Sequence, residues 1–147
     1  MSKAIILYYS NSGSTQKAAE LIKDKTGAKL VKFTFNPAYP NEFDKLKDIV
    51  EKQEKGNIIP EITNDLNLKD YETIYLGFPT WFEQPPMFIK GFLANHELTN
   101  QTIIPFTTSM SSSADIHDKY LKEWSNNTVN LKPTISGNDL NSLEKQL

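Results

Sequence analysis

Three short segments of this sequence carry side chains suited to holding a small, planar, partly anionic ligand. The first, Ser10, Asn11, Ser12, Gly13, Ser14 and Thr15, brings four hydroxyl side chains into six residues, between an apolar run and a segment of helical period. A helix starting at about Thr15 aims its first amides at this loop, its dipole favours negative charge, and Gly13 allows close approach of backbone. Phosphate is the group that such a cradle fits, and it needs no cation. An ordinary helix entry is the plainer reading, but one cap needs one hydroxyl and the loop has four.

The second segment, Pro79, Thr80, Trp81, Phe82, Glu83, Gln84, Pro85 and Pro86, sets two adjacent large aromatics between prolines that stiffen the backbone. Trp81, and with it Phe82, offers a wall on which a flat ring can stack; the alternative for Phe82 is packing back onto the core. The third segment, Thr107, Thr108, Ser109, Met110, Ser111, Ser112 and Ser113, either offers amides and hydroxyls to the polar edge of such a ring or is simply solvated. Taken together, an anion cradle, an aromatic wall and a polar loop describe a site for flavin mononucleotide (FMN), its phosphate, ring system and pyrimidine edge each matched.

For these segments to meet, they must follow neighbouring strands. Apolar runs of strand length alternate with helical periods, the pattern of βαβ units and a parallel sheet. Residues 4–8 make a first strand, and Ala18, Leu21 and Ile22 mark a helix that ends at Gly27. Val31, Phe33 and Phe35 alternate with Lys32 and Thr34 as a second strand. Asn41 then caps a helix with Phe43, Leu46, Ile49 and Val50 on one face, fading near Gly56. Residues 57–71 read as a long connection pinned by Leu66, Leu68 and Tyr71. Residues 74–78 and 102–106 are the third and fourth strands, with Phe88, Phe92 and Leu93 on the helix between them. Asp115 caps a short helix bearing Ile116, Tyr120 and Trp124 and stopped at Asn126 and Asn127. Val129, Leu131 and Ile135 form a fifth strand containing Pro133, before a closing helix with Leu140, Leu143 and Leu147.

Continuous apolar runs put strands one, three and four at the centre; the alternating strands two and five are edges, where Pro133 is tolerated. Right-handed crossovers then favour the order 2-1-3-4-5, a doubly wound α/β sandwich of five parallel strands with helices on both faces. The length suits one such domain over residues 1–147. Winding reverses between strands one and three, and the three chemical segments follow strands one, three and four at that crevice.

Composition removes several function classes. Without Cys there is no disulfide, thiolate metal site or redox dithiol, so electron chemistry must come from a bound cofactor. All 16 basic residues are Lys, which excludes guanidinium clamps on phosphate. A net charge of -2 with no basic stripe argues against nucleic acid as a partner. No run approaches the roughly 20 apolar residues of a membrane span, and residues 4–9 are too short an apolar run for a signal peptide, so a cytoplasmic protein is expected. A Gly-Lys-Ser/Thr phosphate loop and a Gly-x-Gly-x-x-Gly turn are both missing, and no acidic residues follow strands one and three as a phospho-acceptor domain requires. His96 and His117 lack metal-like spacing and read as surface histidines. Glu83 is either a solvated carboxylate or a proton donor beside the ring, and no side chain is assigned a catalytic role.

On these residues the chain resembles the flavodoxin family, in particular its short flavodoxin-like flavoproteins, along essentially its whole length. Residues 10–15 resemble the family's FMN phosphate loop, Ser/Thr-x-Ser/Thr-Gly-x-Thr. Gly77-Phe78-Pro79-Thr80-Trp81-Phe82 resembles its Gly-x-Pro-x-Trp-Trp segment, and Pro105-Phe106-Thr107-Thr108-Ser109 its strand-four end. The resemblance implies ring contacts by Trp81 and Phe82 and backbone contacts from residues 107–109. Two departures stand out: Glu83 where the family usually has Gly, and Met110-Ser111 where a Gly-rich stretch usually follows. Both reduce backbone freedom beside the ring, so little stabilisation of half-reduced flavin is expected. The implied role is electron transfer with redox partner proteins. Alternatives are an NAD(P)H-dependent reductase of quinones or similar small-molecule acceptors, and a flavin-free regulatory module on the same fold.

Overall fold

The period-two alternation of a strand sends successive side chains to opposite faces, and in this chain both faces of the central strands are covered. The computed structural model describes residues 3–94, 98–110, 112–126 and 128–147. Its central strands are β1 (Ala4–Tyr8), β3 (Thr73–Pro79) and β4 (Thr102–Thr108), flanked by β2 (Lys29–Lys32) on one side and by β5 (Asn130–Leu131) and β6 (Ile135–Ser136) on the other. All pairings are parallel, and the sheet runs β2-β1-β3-β4-β5, with β6 also on β4. This is the strand order expected from the sequence.

From β1, Ile6 and Tyr8 join Ala18 and Ile22 of α1 (Ser14–Thr26) and Leu143 of α5 (Leu140–Lys145). Ile5 and Leu7 face the other way. They join Val50 of α2 (Phe43–Gly56), Phe88 and Phe92 of α3 (Met87–Leu93) and Leu121 of α4 (Asp118–Trp124). Gly27 closes α1 in the left-handed conformation, φ 72°, that its lack of a side chain permits.

Several local expectations are corrected. The second strand ends at Lys32: Phe33 N–H still reaches the Tyr8 carbonyl at 2.7 Å, but Phe35 bridges antiparallel to Ile62. Thr34 N–H donates to Asn64 Oδ1 at 2.7 Å, so this edge turns away from β1 to pair with the long connection. That connection is held further along by Leu68, fully buried, whose carbonyl accepts from Gln101 Nε2 at 3.1 Å. The cap of α2 is Glu42, not Asn41, which lies one residue too early, and no side chain caps the helix. The fifth strand is two short pieces, because Pro133 interrupts the ladder and Thr134 turns inward, donating through N–H and Oγ1 to Asp118 Oδ1 at 2.9 and 2.7 Å. Asp115 does not cap a helix; a 3₁₀ turn, Ala114–His117, precedes α4 and brings His117 and Leu121 to the inner face in place of Ile116, Tyr120 and Trp124, which are half-buried. Asn127, expected to help stop that helix, lies outside the described residues.

At the centre, Gly77 of β3 sits opposite Phe106 of β4, and a Cβ on Gly77 would lie 2.3 Å from Phe106 Cζ. Phe106 is fully buried and cannot swing clear cheaply. Gly77→Ala is therefore expected to cost about 1–3 kcal/mol, as an overpacked core does. The check is a urea unfolding curve, in which the midpoint falls at constant slope; an unchanged midpoint would mean that the Phe106 ring repacks freely.

Candidate functional site

The loops after β1, β3 and β4 converge on a cleft of about 440 Å³ at the carboxy ends of the strands. Asn11, Ser12 and Ser14 line it from the first loop, Pro79, Thr80, Trp81 and Phe82 from the second, and Thr108 and Ser109 from the third. Local chemistry sets each loop. Ser10 Oγ accepts from Gly13 N–H at 2.9 Å, tightening the turn, and Gly13 takes φ 94°, a left-handed value natural to Gly. No side chain caps α1, so its first-turn amides remain available to an anion. A Cβ at Gly13 would meet open space, so the constraint there is conformational rather than steric.

Thr15 is buried, and its Oγ1 lies 2.7 Å from Thr108 Oγ1, tying the start of α1 to the end of β4. Ser10, Gly13, Thr15, Glu83 and Thr107, all expected at the ligand, do not line the cleft. Thr107 and Thr108 belong to β4 rather than to a loop, and both are buried. Ser109 N–H donates to Asn138 Oδ1 at 2.8 Å, which fixes the third loop against the turn after β6. Ser111 lies outside the described residues.

The second loop is a tight hairpin. Trp81 N–H donates to the Gln84 carbonyl and Gln84 N–H to the Trp81 carbonyl, each at 3.2 Å. Phe82 and Glu83 between them have φ 51° and 59°, both left-handed, as a two-residue hairpin of the primed type requires. Trp81 is half-buried. Its ring meets Tyr39 at 5.1 Å and Tyr9 at 6.0 Å, edge-on in both cases, so the wall leans on core aromatics. Tyr39 is itself fixed by its hydroxyl, which donates to Gln53 Oε1 at 2.9 Å. Phe82 is 48% exposed at the rim, and Glu83 points no further inward than the surface.

His117 overturns its reading as a surface histidine: it is fully buried behind the cleft wall. Its Nε2 lies 2.8 Å from Thr80 Oγ1, which is 3.0 Å from Thr107 Oγ1, which in turn donates to the Phe78 carbonyl at 2.8 Å. Burial lowers its pKa from 6.5 to about 4, against the opposing pull of Asp118. Spacing gave no sign of this, because the 3₁₀ turn that carries His117 inward interrupts the helical period. His96 lies outside the described residues.

One wall of the cleft was missed altogether. Phe43, Leu46, Lys47 and Val50 of α2 line it, with Asn138, beside Met110 of the third segment. Helical spacing places Phe43 on the buried face of α2, yet it is 74% exposed, and with Phe82 and the fully exposed Met110 it gives the cleft an apolar rim. The signal was present as large apolar residues at the helix start and after the third loop, where nothing in the core calls for them. Among the described residues no cluster of His, Asp and Glu could hold a metal ion, and no helix is long and apolar enough to cross a membrane.

Two outcomes follow from this geometry. A left-handed L-residue costs about 1–2 kcal/mol, and Gly returns about 0.4–1 kcal/mol of that to the unfolded chain. Glu83→Gly is thus expected to raise stability by up to about 1.6 kcal/mol, read from the urea midpoint; a lower midpoint would reveal a contact made by the Glu83 side chain. For His117 the folded pKa is depressed, so on acidification the unfolded chain takes up a proton first. Its contribution to stability is complete above about pH 6.5 and is lost as pH falls towards about 4. At 1.36 kcal/mol per unit the loss approaches about 3 kcal/mol. Comparing the pH dependence of stability in the native chain and in His117→Gln isolates it, and parallel profiles would rule it out.

A protein-family model described as flavodoxin matches residues 3–145. No curated protein sequence matches the chain. Among solved structures, a flavoprotein from Lactobacillus acidophilus NCFM in complex with FMN is 27% identical, with a TM-score of 0.80 over 99% of this chain and 98% of that one. A candidate flavoprotein from Bacteroides eggerthii DSM 20697 is 25% identical, with a TM-score of 0.83 over 100% and 96%. A third, from Bacteroides uniformis ATCC 8492, shares the fold at 24% identity and a TM-score of 0.81 over 99% and 97%. With the sheet order, the crevice and a family match across nearly all its residues, the chain belongs to the flavodoxin family.

Proposed function

We propose that the chain binds FMN in this cleft and serves in electron transfer. The observation that carries the reading is one cleft shared by an uncapped helix start with its hydroxyl loop and by the braced indole of Trp81. The donor set fits the cofactor: amides of the first turn of α1 with the hydroxyls of Ser12 and Ser14 suit a phosphate, and no cation is required. The volume falls within the range of pockets that enclose a ligand of this size. The FMN complex of the similar Lactobacillus flavoprotein supports the same assignment.

When bound, FMN supplies the capacity to take up and release electrons, which this Cys-free chain does not otherwise have. The residues of the chain bind and orient it. Trp81, held by Tyr9 and Tyr39, offers a fixed aromatic surface; Leu46, Val50 and Pro79 add apolar lining; Thr108 and Ser109 complete the lining at the end of β4. Pairing of Thr15 with Thr108 keeps the anion loop and the third loop at a constant separation.

A second reading, an NAD(P)H-dependent reductase of quinones or similar acceptors, is favoured by the rim. Phe43, Phe82 and Met110 give an apolar approach, with Lys47 as a cation beside it, and this suits a flat apolar acceptor better than a charged protein surface. Oxidation of NADH or NADPH by the FMN-loaded protein, with and without a soluble quinone, separates the readings; a carrier docking to protein partners shows no such turnover.

The binding claim is tested by visible absorption of the purified protein, as isolated and after mixing with FMN and removing free ligand. Retained flavin bands are expected. Trp81→Ala should weaken affinity about fivefold to 150-fold, the usual loss of about 1–3 kcal/mol when a stacking aromatic is removed, and Ser12→Ala should weaken it further. Absence of retained flavin in both samples would refute FMN binding and favour a flavin-free regulatory role.

A further inference from the structure

The hydrogen bonds behind the cleft wall have a single consistent direction. A carbonyl only accepts, so Thr107 spends its one hydroxyl hydrogen on Phe78 O, 2.8 Å away. The hydrogen in the 3.0 Å contact between Thr80 Oγ1 and Thr107 Oγ1 must then belong to Thr80. Thr80 has no second hydrogen, so its 2.8 Å contact with His117 Nε2 is made by an N–H of the ring. The reverse direction, Thr80 donating to Nε2, leaves two threonine oxygens 3.0 Å apart with no hydrogen between them. The imidazole therefore carries a hydrogen on Nε2, and Nδ1, buried without a hydrogen-bond partner among the described residues, has nothing to receive a second one, which leaves the neutral Nε2–H tautomer.

We propose that His117 is a positioning residue, which through its Nε2–H turns the Thr80 hydroxyl hydrogen into the core, so that Thr80 meets a ligand in the cleft only as an acceptor. Thr80 lines the cleft, and after accepting from His117 it keeps a lone pair but no hydrogen. A ligand group that carries N–H or O–H at that point is bound; one that presents a lone pair is repelled. For a redox heterocycle whose ring nitrogen gains hydrogen on reduction, this favours the reduced form. Burial of His117 beside the edge of Phe78, at 5.1 Å, keeps the ring neutral. Phe78 and Thr107, on β3 and β4, are uncharged, and Asp118, the charged group acting on the ring, is engaged by Thr134.

The ligand half of the proposal rests on the FMN reading above; the positioning half does not. Imidazole ¹⁵N–¹H correlation spectra of the protein without added FMN are expected to give the Nε2–H pattern for His117, unchanged from pH 8 to pH 5. An Nδ1–H pattern, or titration near pH 6.5, would overturn the proposal. In the FMN-loaded protein, His117→Leu is expected to lower the ratio of reduced to oxidised affinity about tenfold, a fall of about 30 mV in a two-electron midpoint potential. His117→Gln, which can still donate an N–H, should restore most of it. Thr80→Val should match His117→Leu, and combining the two should add little. Additive effects, or equal losses from Leu and Gln at position 117, would reduce His117 to a packing residue. A chain that retains no FMN overturns the ligand half and leaves the tautomer to decide the rest.

Discussion

The reversal of winding at β1 is the constraint on which the rest of the molecule depends. On one side of β1 the chain passes through α1 to β2; on the other lie β3 and β4, reached through α2 and α3. Right-handed crossovers in both directions send α1 and α2 to opposite faces of the sheet. The loops that leave β1 and β3 therefore diverge and leave a crevice between them. Nothing in the cleft has to be excavated from a packed core, because backbone pairing of the central strands is complete beneath it and its walls are the ends of elements that the sheet requires anyway.

Divergence alone would leave three loose loops, and short polar contacts prevent that. Thr80 N–H donates to the Thr108 carbonyl at 3.0 Å, one step beyond the last β3–β4 pair, so the second loop starts from the ladder itself. The Thr15 hydroxyl reaches the same residue from the first loop. Thr108 thus joins both neighbours at the end of β4, while Asn138 secures the next residue, Ser109. Buried hydroxyls in these positions fix geometry as a methyl of similar size would not, since each contact sets a distance and a direction.

The sheet order was legible because it follows from coarse features: largely apolar runs at residues 4–8, 74–78 and 102–106, alternation in the two edge strands, and Pro133 in the fifth. The three loops were legible for a related reason, since hydroxyl and aromatic residues gather where no regular element needs them. What was not legible depended on a single turn or register. One 3₁₀ turn carries His117 from the expected surface into the core. A partner more than 25 residues away, Ile62, draws Phe35 off the second strand. The contribution of α2 to the cleft depends on where its first turn ends up relative to the strand ends, which periodicity does not encode; Phe43 reads as core by spacing and sits exposed at the rim.

The hairpin at Phe82 and Glu83 has a kinetic consequence. Its two left-handed residues are held by reciprocal backbone bonds between Trp81 and Gln84, and Trp81 is braced from behind by Tyr9 and Tyr39, all of them contacts within the chain itself. The conformational cost of the aromatic wall is met during folding, so an arriving ring has little ordering left to impose there. Association at such a surface proceeds at a pace set by diffusion and orientation, and differences in affinity among ligands of the same shape are expressed in how long each remains.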